Sequence, residues 1–274
     1  MPPLYIRLQE GTDNWEYSFQ YMDFSNGRTH FRDLKVSDVD LDCEITGIYF
    51  SNSALEWHTL TAADLKNELV PFITGRVNGQ TKLQLAAEGD DQNESFDQMF
   101  EVLLKGLRNV NFEDVKLGYY GVACEDFIAP LIESGKVKTL ELHGSWPNGA
   151  KHLILSYLTK SENPRLTLTK QNKITIDKEL FDLMLKMFME DKFTYLRSMF
   201  GPLEVDVDHL RSAYPEHQIA PKIPAQEEGM EVLTWKSPVE KQSHFMVEFT
   251  SDGVEVSTFY EGYCCCSGQS HDDE

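Results

Sequence analysis

Val137–Leu158 reads VKTLELHGSWPNGAKHLILSYL. Leu140 and Leu142 alternate with Glu141 and His143, the period of a strand with one buried face. Gly144 to Gly149 is turn chemistry. Ala150, Leu153, Ile154, Tyr157 and Leu158 then fall at helical spacing, opened by Asn148 and followed by Pro164. Strand, turn and amphipathic helix make one unit.

The unit recurs along the middle of the chain. Further strands centre on Leu83 and Leu85, on Val115 and Leu117, and on Leu166 and Leu168. The helical stripes are Phe96, Met99, Phe100, Leu103, Leu104 and Leu107; Phe127, Ile128, Leu131 and Ile132; and Leu180, Leu183, Met184, Met187 and Phe188, with Asp177 as N-cap. An earlier helix starts at Thr61, with Asp64 three residues on as a capping-box variant, and carries Leu65, Leu69, Phe72 and Ile73. VPFITGRV at Val70–Val77 echoes APLIESGKV at Ala129–Val137: a proline late in a helix, two apolar residues, then a glycine and a basic residue. A proline in a helix interior costs about 3 kcal/mol. Its use twice at one phase predicts a shared repeat geometry, with two unrelated helix ends as the other reading. Parallel strands need crossovers, and helices supply them. The expected fold is therefore α/β: an irregular leucine-rich-repeat-like β–α solenoid with a parallel sheet, flanked by terminal β-hairpins.

Leu4, Ile6 and Leu8 alternate, EGTDN turns, and Trp15, Tyr17, Phe19 and Tyr21 alternate again. Phe245, Val247 and Phe249 are separated from Val254 and Val256 by SDG, a second hairpin. Both hairpins are expected as caps on exposed repeat ends. The expected organisation is a single repeat domain over 1–262, with the first hairpin in 1–30, β–α repeats in 31–212, a Pro-rich loop in 213–230 and the second hairpin in 231–262. A disordered tail is expected over 263–274.

The 274 residues carry 25 Lys and Arg against 45 Asp and Glu, a formal net charge of −20. That field repels phosphate backbones, so neither nucleic acid nor an anionic membrane is the expected partner. The alternating N-terminus lacks the apolar core of a secretory signal, and no stretch approaches the roughly 18 apolar residues of a bilayer span. Five cysteines are too few for a disulfide scaffold, and the odd count suits a reducing compartment. The expected location is cytoplasmic or nuclear.

No phosphate-binding loop, nucleophile elbow, zincin or dinucleotide motif is present. His143 with Asp126 or Glu141 could form an acid–base pair, but a solvated pair on a strand end fits the pattern better. His152 lies at the edge of its helical stripe. Cys264, Cys265 and Cys266 with His271 offer zinc-type donors, yet three consecutive cysteines wrap one ion poorly and the C-x₂-C spacing is absent. Lipidation is a second reading of them, and a flexible tail is the expectation. No cofactor, metal or catalytic residue is expected.

Leu140–Pro147 (LELHGSWP), the aromatic hairpin around NWEYSFQY and the ending in Trp235 followed by a hairpin resemble the leucine-rich-like part of nematode F-box-associated proteins. The resemblance implies a β–α repeat domain that recruits substrates to a cullin-type ubiquitin ligase. No residues ahead of Leu34 have the helical periodicity of an F-box, so the family's adaptor contact is not expected of them. From the residues themselves, strand alternation places Gln84, Lys116, Glu141 and Thr167 on one exposed face, with His143 and Tyr119 extending the row. Trp146 is either an exposed anchor in its turn or a ring folded back over the adjacent helix. The expected function is protein binding through these seven residues. The alternative is a hydrolase or transferase with a nonstandard site at the sheet edge.

Overall fold

The computed structural model describes residues 4–10, 15–23, 30–34, 39, 43–50, 57–86, 97–192, 195–220, 231–251 and 253–260. The chain is mixed α/β, with parallel strands and helices in its middle, and it divides into two compact units. The first comprises Met1–Trp146 with His152–Glu162, the second Pro147–Lys151 with Asn163–Glu274.

The first unit opens with β1 (Leu4–Glu10) and β2 (Trp15–Asp23), paired antiparallel with Leu4 opposite Tyr21 and Glu10 opposite Trp15. Then come β3 (His30–Leu34), β4 (Ile45–Phe50), β5 (His58–Leu60), α1 (Ala62–Asp64), a π-helical stretch Leu65–Leu69, α2 (Val70–Thr74) and β6 (Val77–Leu85). α3 (Asp97–Leu107), β7 (Asp114–Gly118), α4 (Val122–Glu133), β8 (Thr139–His143) and α5 (Lys151–Lys160), from His152 onward, complete it. The strands run in the order β8-β7-β6-β4-β1-β2-β3, and β5 also pairs with β2. β8, β7, β6, β4 and β1 are mutually parallel; β2 is antiparallel to β1, β3 and β5. The expected N-terminal hairpin is thus present, but β1 enters the parallel sheet beside β4.

Alternation fixes which face is buried. Leu83, Val115 and Leu140 lie opposite one another, as do Leu85, Leu117 and Leu142, and all six are at most 1% exposed. Helices close that face: Phe72 packs on Phe19, and Phe100 packs on Trp15 and Phe50. From α5, the Tyr157 hydroxyl donates to Lys138 O at 2.6 Å.

The capping box at Thr61 is complete. Asp64 N donates to Thr61 Oγ1 at 3.1 Å and Thr61 N to Asp64 Oδ2 at 3.2 Å. Pro71 brings no N–H, and its ring crowds the carbonyl four residues earlier. The preceding turn is wound wide, with Val70 N on Leu65 O, a π-type bond that makes room. The two echoing segments close alike. Gly75 N donates to Pro71 O and Arg76 N to Ile73 O; Ser134 N donates to Pro130 O and Gly135 N to Ile132 O. The proline carbonyl and the one two residues later are capped at the same offsets in both.

The second unit contains β9 (Arg165–Leu168), α6 (Lys178–Met189), β10 (Tyr195–Gly201), α7 (Val207–Ser212), β11 (Gln218–Ile219), β12 (Val232–Lys236), β13 (Ser243–Thr250) and β14 (Gly253–Tyr260). Its strand order is β11-β12-β13-β14-β10-β9, antiparallel except for β9 beside β10. The expected C-terminal hairpin is β13–β14. Asp177 caps α6 through Leu180 N at 3.1 Å and pairs with Lys151. Phe181, Trp235 and Phe245 form an aromatic core, with Trp235 Nε1 donating to Ala213 O at 2.7 Å. Among the described residues no helix is long and apolar enough to cross a membrane. The expected tail, with Cys264, Cys265, Cys266 and His271, and the part of the Pro-rich loop from residue 221 lie outside the described residues.

Gly106 sets the approach of α3 to α2: a Cβ there would meet Val70 Cγ1 at 2.4 Å. Alanine favours a helix over glycine by about 1 kcal/mol. Even so, Gly106→Ala is expected to destabilise, because overpacking costs about 1–3 kcal/mol. Chemical denaturation of Gly106→Ala, Val70→Ala and the double variant checks this: the pair together should cost less than the sum of the two.

Candidate functional site

On the first unit's sheet, the face away from Leu140 and its neighbours carries a continuous polar row. Arg7 lies opposite Tyr49, Tyr49 opposite Gln84, Gln84 opposite Lys116, and Lys116 opposite Glu141. The neighbouring row runs Tyr5, Gly47, Lys82, Asp114, Thr139. Gly118 and His143 sit opposite each other two residues beyond Lys116 and Glu141. With strands about 4.8 Å apart, Gln84, Lys116 and Glu141 fall within about 10 Å.

Sheet register explains why these residues share a face, and their side chains differ in what they do. Arg7 Nε donates to Gln20 Oε1 at 2.5 Å, and Lys82 pairs with Asp114 at 3.4 Å. The Tyr49 ring lies over Gly47, where a Cβ would come within 2.3 Å of it, and tilts against Tyr5 at 5.8 Å. Burial, first, and then Tyr5 raise the Tyr49 hydroxyl above the usual tyrosine range. His143 Nε2 is 3.5 Å from Glu141 Oε2 and makes no hydrogen bond. Gln84 and Lys116 are half-buried, and their polar ends have no hydrogen bond or ion pair among the described residues.

Gln84, Lys116, Glu141 and His143 are therefore brought together as the alternation predicts. Tyr119 lies just past β7, with its N–H on His143 O at 3.0 Å and its hydroxyl on Glu125 Oε1 at 3.0 Å. Thr167 belongs to the second unit, where it faces Ser198 of β10. Trp146 is a correction: it is 0% exposed and is not an anchor offered to solvent. Gly144, at φ 79°, reverses the chain, Trp146 N turns back onto Gly144 O at 3.0 Å, and the indole packs on Tyr119 at 5.0 Å. His152 is exposed on its helix. Sequence reasoning missed Tyr5, Arg7 and Tyr49. The alternation of β1 signalled the first two. No group of residues able to hold a metal ion occurs among the described residues.

The second unit has its own polar pair. Glu255 lies opposite Glu248 across β13 and β14, and Glu248 is only 3% exposed. Burial, then Glu248, push the Glu255 carboxyl up, and Lys170 opposes them. Like charges directly opposite in a sheet destabilise it.

Compared with known proteins, the chain matches no family model, no curated protein and no solved structure.

Two pH responses follow. Burial and the Glu125 bond push Tyr119 up to about 12 from 10.0. A proton held more tightly in the folded state stabilises below the unfolded pKa and is lost as pH rises through the folded one. Wild type should therefore lose stability between pH 10 and 12 more steeply than Tyr119→Phe in urea titrations. Glu255 is also raised, so its favourable contribution exists below the ordinary glutamate range and disappears as pH rises through its folded pKa. Glu255→Gln should melt above wild type at pH 7, with the gap closing on acidification.

Proposed function

We propose that this chain is a protein-interaction module, and that the polar sheet face of its first unit takes the partner. The reading rests above all on Gln84 and Lys116. They lie side by side in the middle of the row, next to Glu141, and among the described residues no bond occupies their polar ends. Amide, ammonium, carboxylate and phenol groups alternating across one face suit the mixed polar surface of a protein. A small apolar ligand or a phosphate chain would find few matching groups there.

On this reading the β–α units work as an irregular repeat array. The helices hold one face closed, and the stretch of the other face around Gln84 and Lys116 is the part that is read. Binding, rather than catalysis, is the task. The resemblance to F-box-associated proteins extends the proposal: the captured protein would be a substrate handed to a ubiquitin ligase. Such a role would place the protein in the cytoplasm or nucleus.

The test is the charge-exchanged variant Lys116→Glu with Glu141→Lys, immobilised beside wild type as bait, with captured proteins identified by mass spectrometry. The expected result is loss of the proteins captured by wild type at an unchanged melting temperature. Recovery of a cullin-ligase adaptor with wild type would support the narrower role. Equal capture by both baits would move the interaction off this face.

A further inference from the structure

β6 is longer than its neighbours can pair. Ile45 of β4 lies opposite Val77 and Gly47 opposite Lys82, so five steps along β6 match two along β4. On its other side β7 first meets β6 where Asp114 faces Lys82. Asn78, Gly79, Gln80 and Thr81 therefore form a bulge that faces only Thr46 on β4 and has no residue opposite it on β7.

This stretch is held in shape from within. Gln80 N donates to Asn78 Oδ1 at 3.0 Å, Asn78 Nδ2 to Glu44 Oε2 at 3.0 Å, and Thr81 Oγ1 to Ile45 O at 2.6 Å. An open cleft of about 360 Å³ lies beside it. Thr74, Val77, Asn78 and Gly79 form one part of the lining, and Gly106, Asn109, Val110 and Asn111 the other. That size is at the lower end of the roughly 300–1,000 Å³ of ligand pockets. Nothing lies within 4 Å of where a Gly79 side chain would start, so this position opens onto the cleft. Asn109 and Asn111 make no side-chain hydrogen bond among the described residues.

We propose that this cleft binds an extended, uncharged peptide segment of a partner protein, added as a strand along Asn78–Gln80 and held from the other side by Asn109 and Asn111. An unpaired strand segment is a template for another main chain. A carboxamide offers donors and an acceptor together, the same pair a peptide unit presents. The lining has no cation to hold a phosphate or carboxylate and no aromatic ring on which a sugar could stack. Its apolar side chains are two valines, too few for a greasy ligand. The cleft shares no residue with the polar face, so the two proposals stand separately.

The probe is a random-peptide display library panned on the full chain. Selected peptides are then measured against wild type, Gly79→Trp and Asn109→Ala with Asn111→Ala. The tryptophan fills the cleft from a position with open space, and both variants should keep the wild-type melting temperature. Selected peptides should lose about tenfold or more in affinity to either variant, the loss of two neutral hydrogen bonds or more. N-methylation of alternate peptide units should abolish binding, because it removes the main-chain donors a strand needs. The Lys116→Glu, Glu141→Lys variant should bind them like wild type. No selected peptide, equal affinity for Gly79→Trp, indifference to N-methylation, or loss only with the charge-exchanged variant would each overturn the proposal.

Discussion

The parallel ladder of β6, β7 and β8 holds its leucines in line, and the architecture of the first unit depends on that register. Leu83, Val115 and Leu140 are mutually opposite, with Leu85, Leu117 and Leu142 two residues on. The period of a strand is two, so a slip of one residue would send every one of these side chains to the solvent face. It would also bring Lys116 and Glu141 inward, at the cost of burying charge. The hydrophobic core and the polar row are two consequences of one register.

Crossover helices make that register reachable, and their ends show how the backbone is satisfied. The last carbonyls of a helix have no intrahelical donor and need other partners. At Pro71 and Pro130 the same two carbonyls are taken up by the same two following amides. The solutions differ upstream. Leu65–Leu69 widens into a π turn before Pro71, whereas Pro130 sits inside the regular α4. They differ downstream as well, where Gly135 takes φ 67° and Arg76 instead packs its guanidinium over Phe72 at 4.2 Å. The shared sequence signal thus corresponds to a shared closure with local variation.

What the sequence made legible was whatever depended on short-range period. The β6–β8 strands, the two hairpins, the Thr61 capping box and the Asp177 cap are each written within a few residues. β4 was not legible, because Thr46 is an extra residue against β1 and breaks the alternation of Ile45 with Ile48. β10 was missed for a related reason: its register against β9 shifts between Leu196 and Ser198. Trp146 looked equally able to project or to fold back, since a glycine's freedom at 144 does not say which way the chain will turn. The Asn-lined cleft depends on a length mismatch between strands far apart in sequence, and no local pattern carries that.

The Thr46 irregularity also accounts for the continuity of the polar face. Leu4 lies opposite Ile45, and the very next residue of β1, Tyr5, lies opposite Gly47. One step on β1 therefore matches two on β4, which exchanges the faces of β4 at that point. Ile45 and Ile48, three apart, are both fully buried, while Gly47 and Tyr49 join Tyr5 and Arg7 on the polar side. Along β6 the change of face needs no such device. Val77 and Lys82 are five residues apart, an odd number, so simple alternation already puts them on opposite sides. Thr81, on the core side by the same rule, is 0% exposed. Its hydroxyl satisfies Ile45 O, a carbonyl at the point where β4 and β6 fall out of step. One residue inserted in β4 and a surplus in β6 thus keep the apolar side apolar and the polar side polar across the sheet. The bulged stretch beside the cleft is the remainder of that surplus.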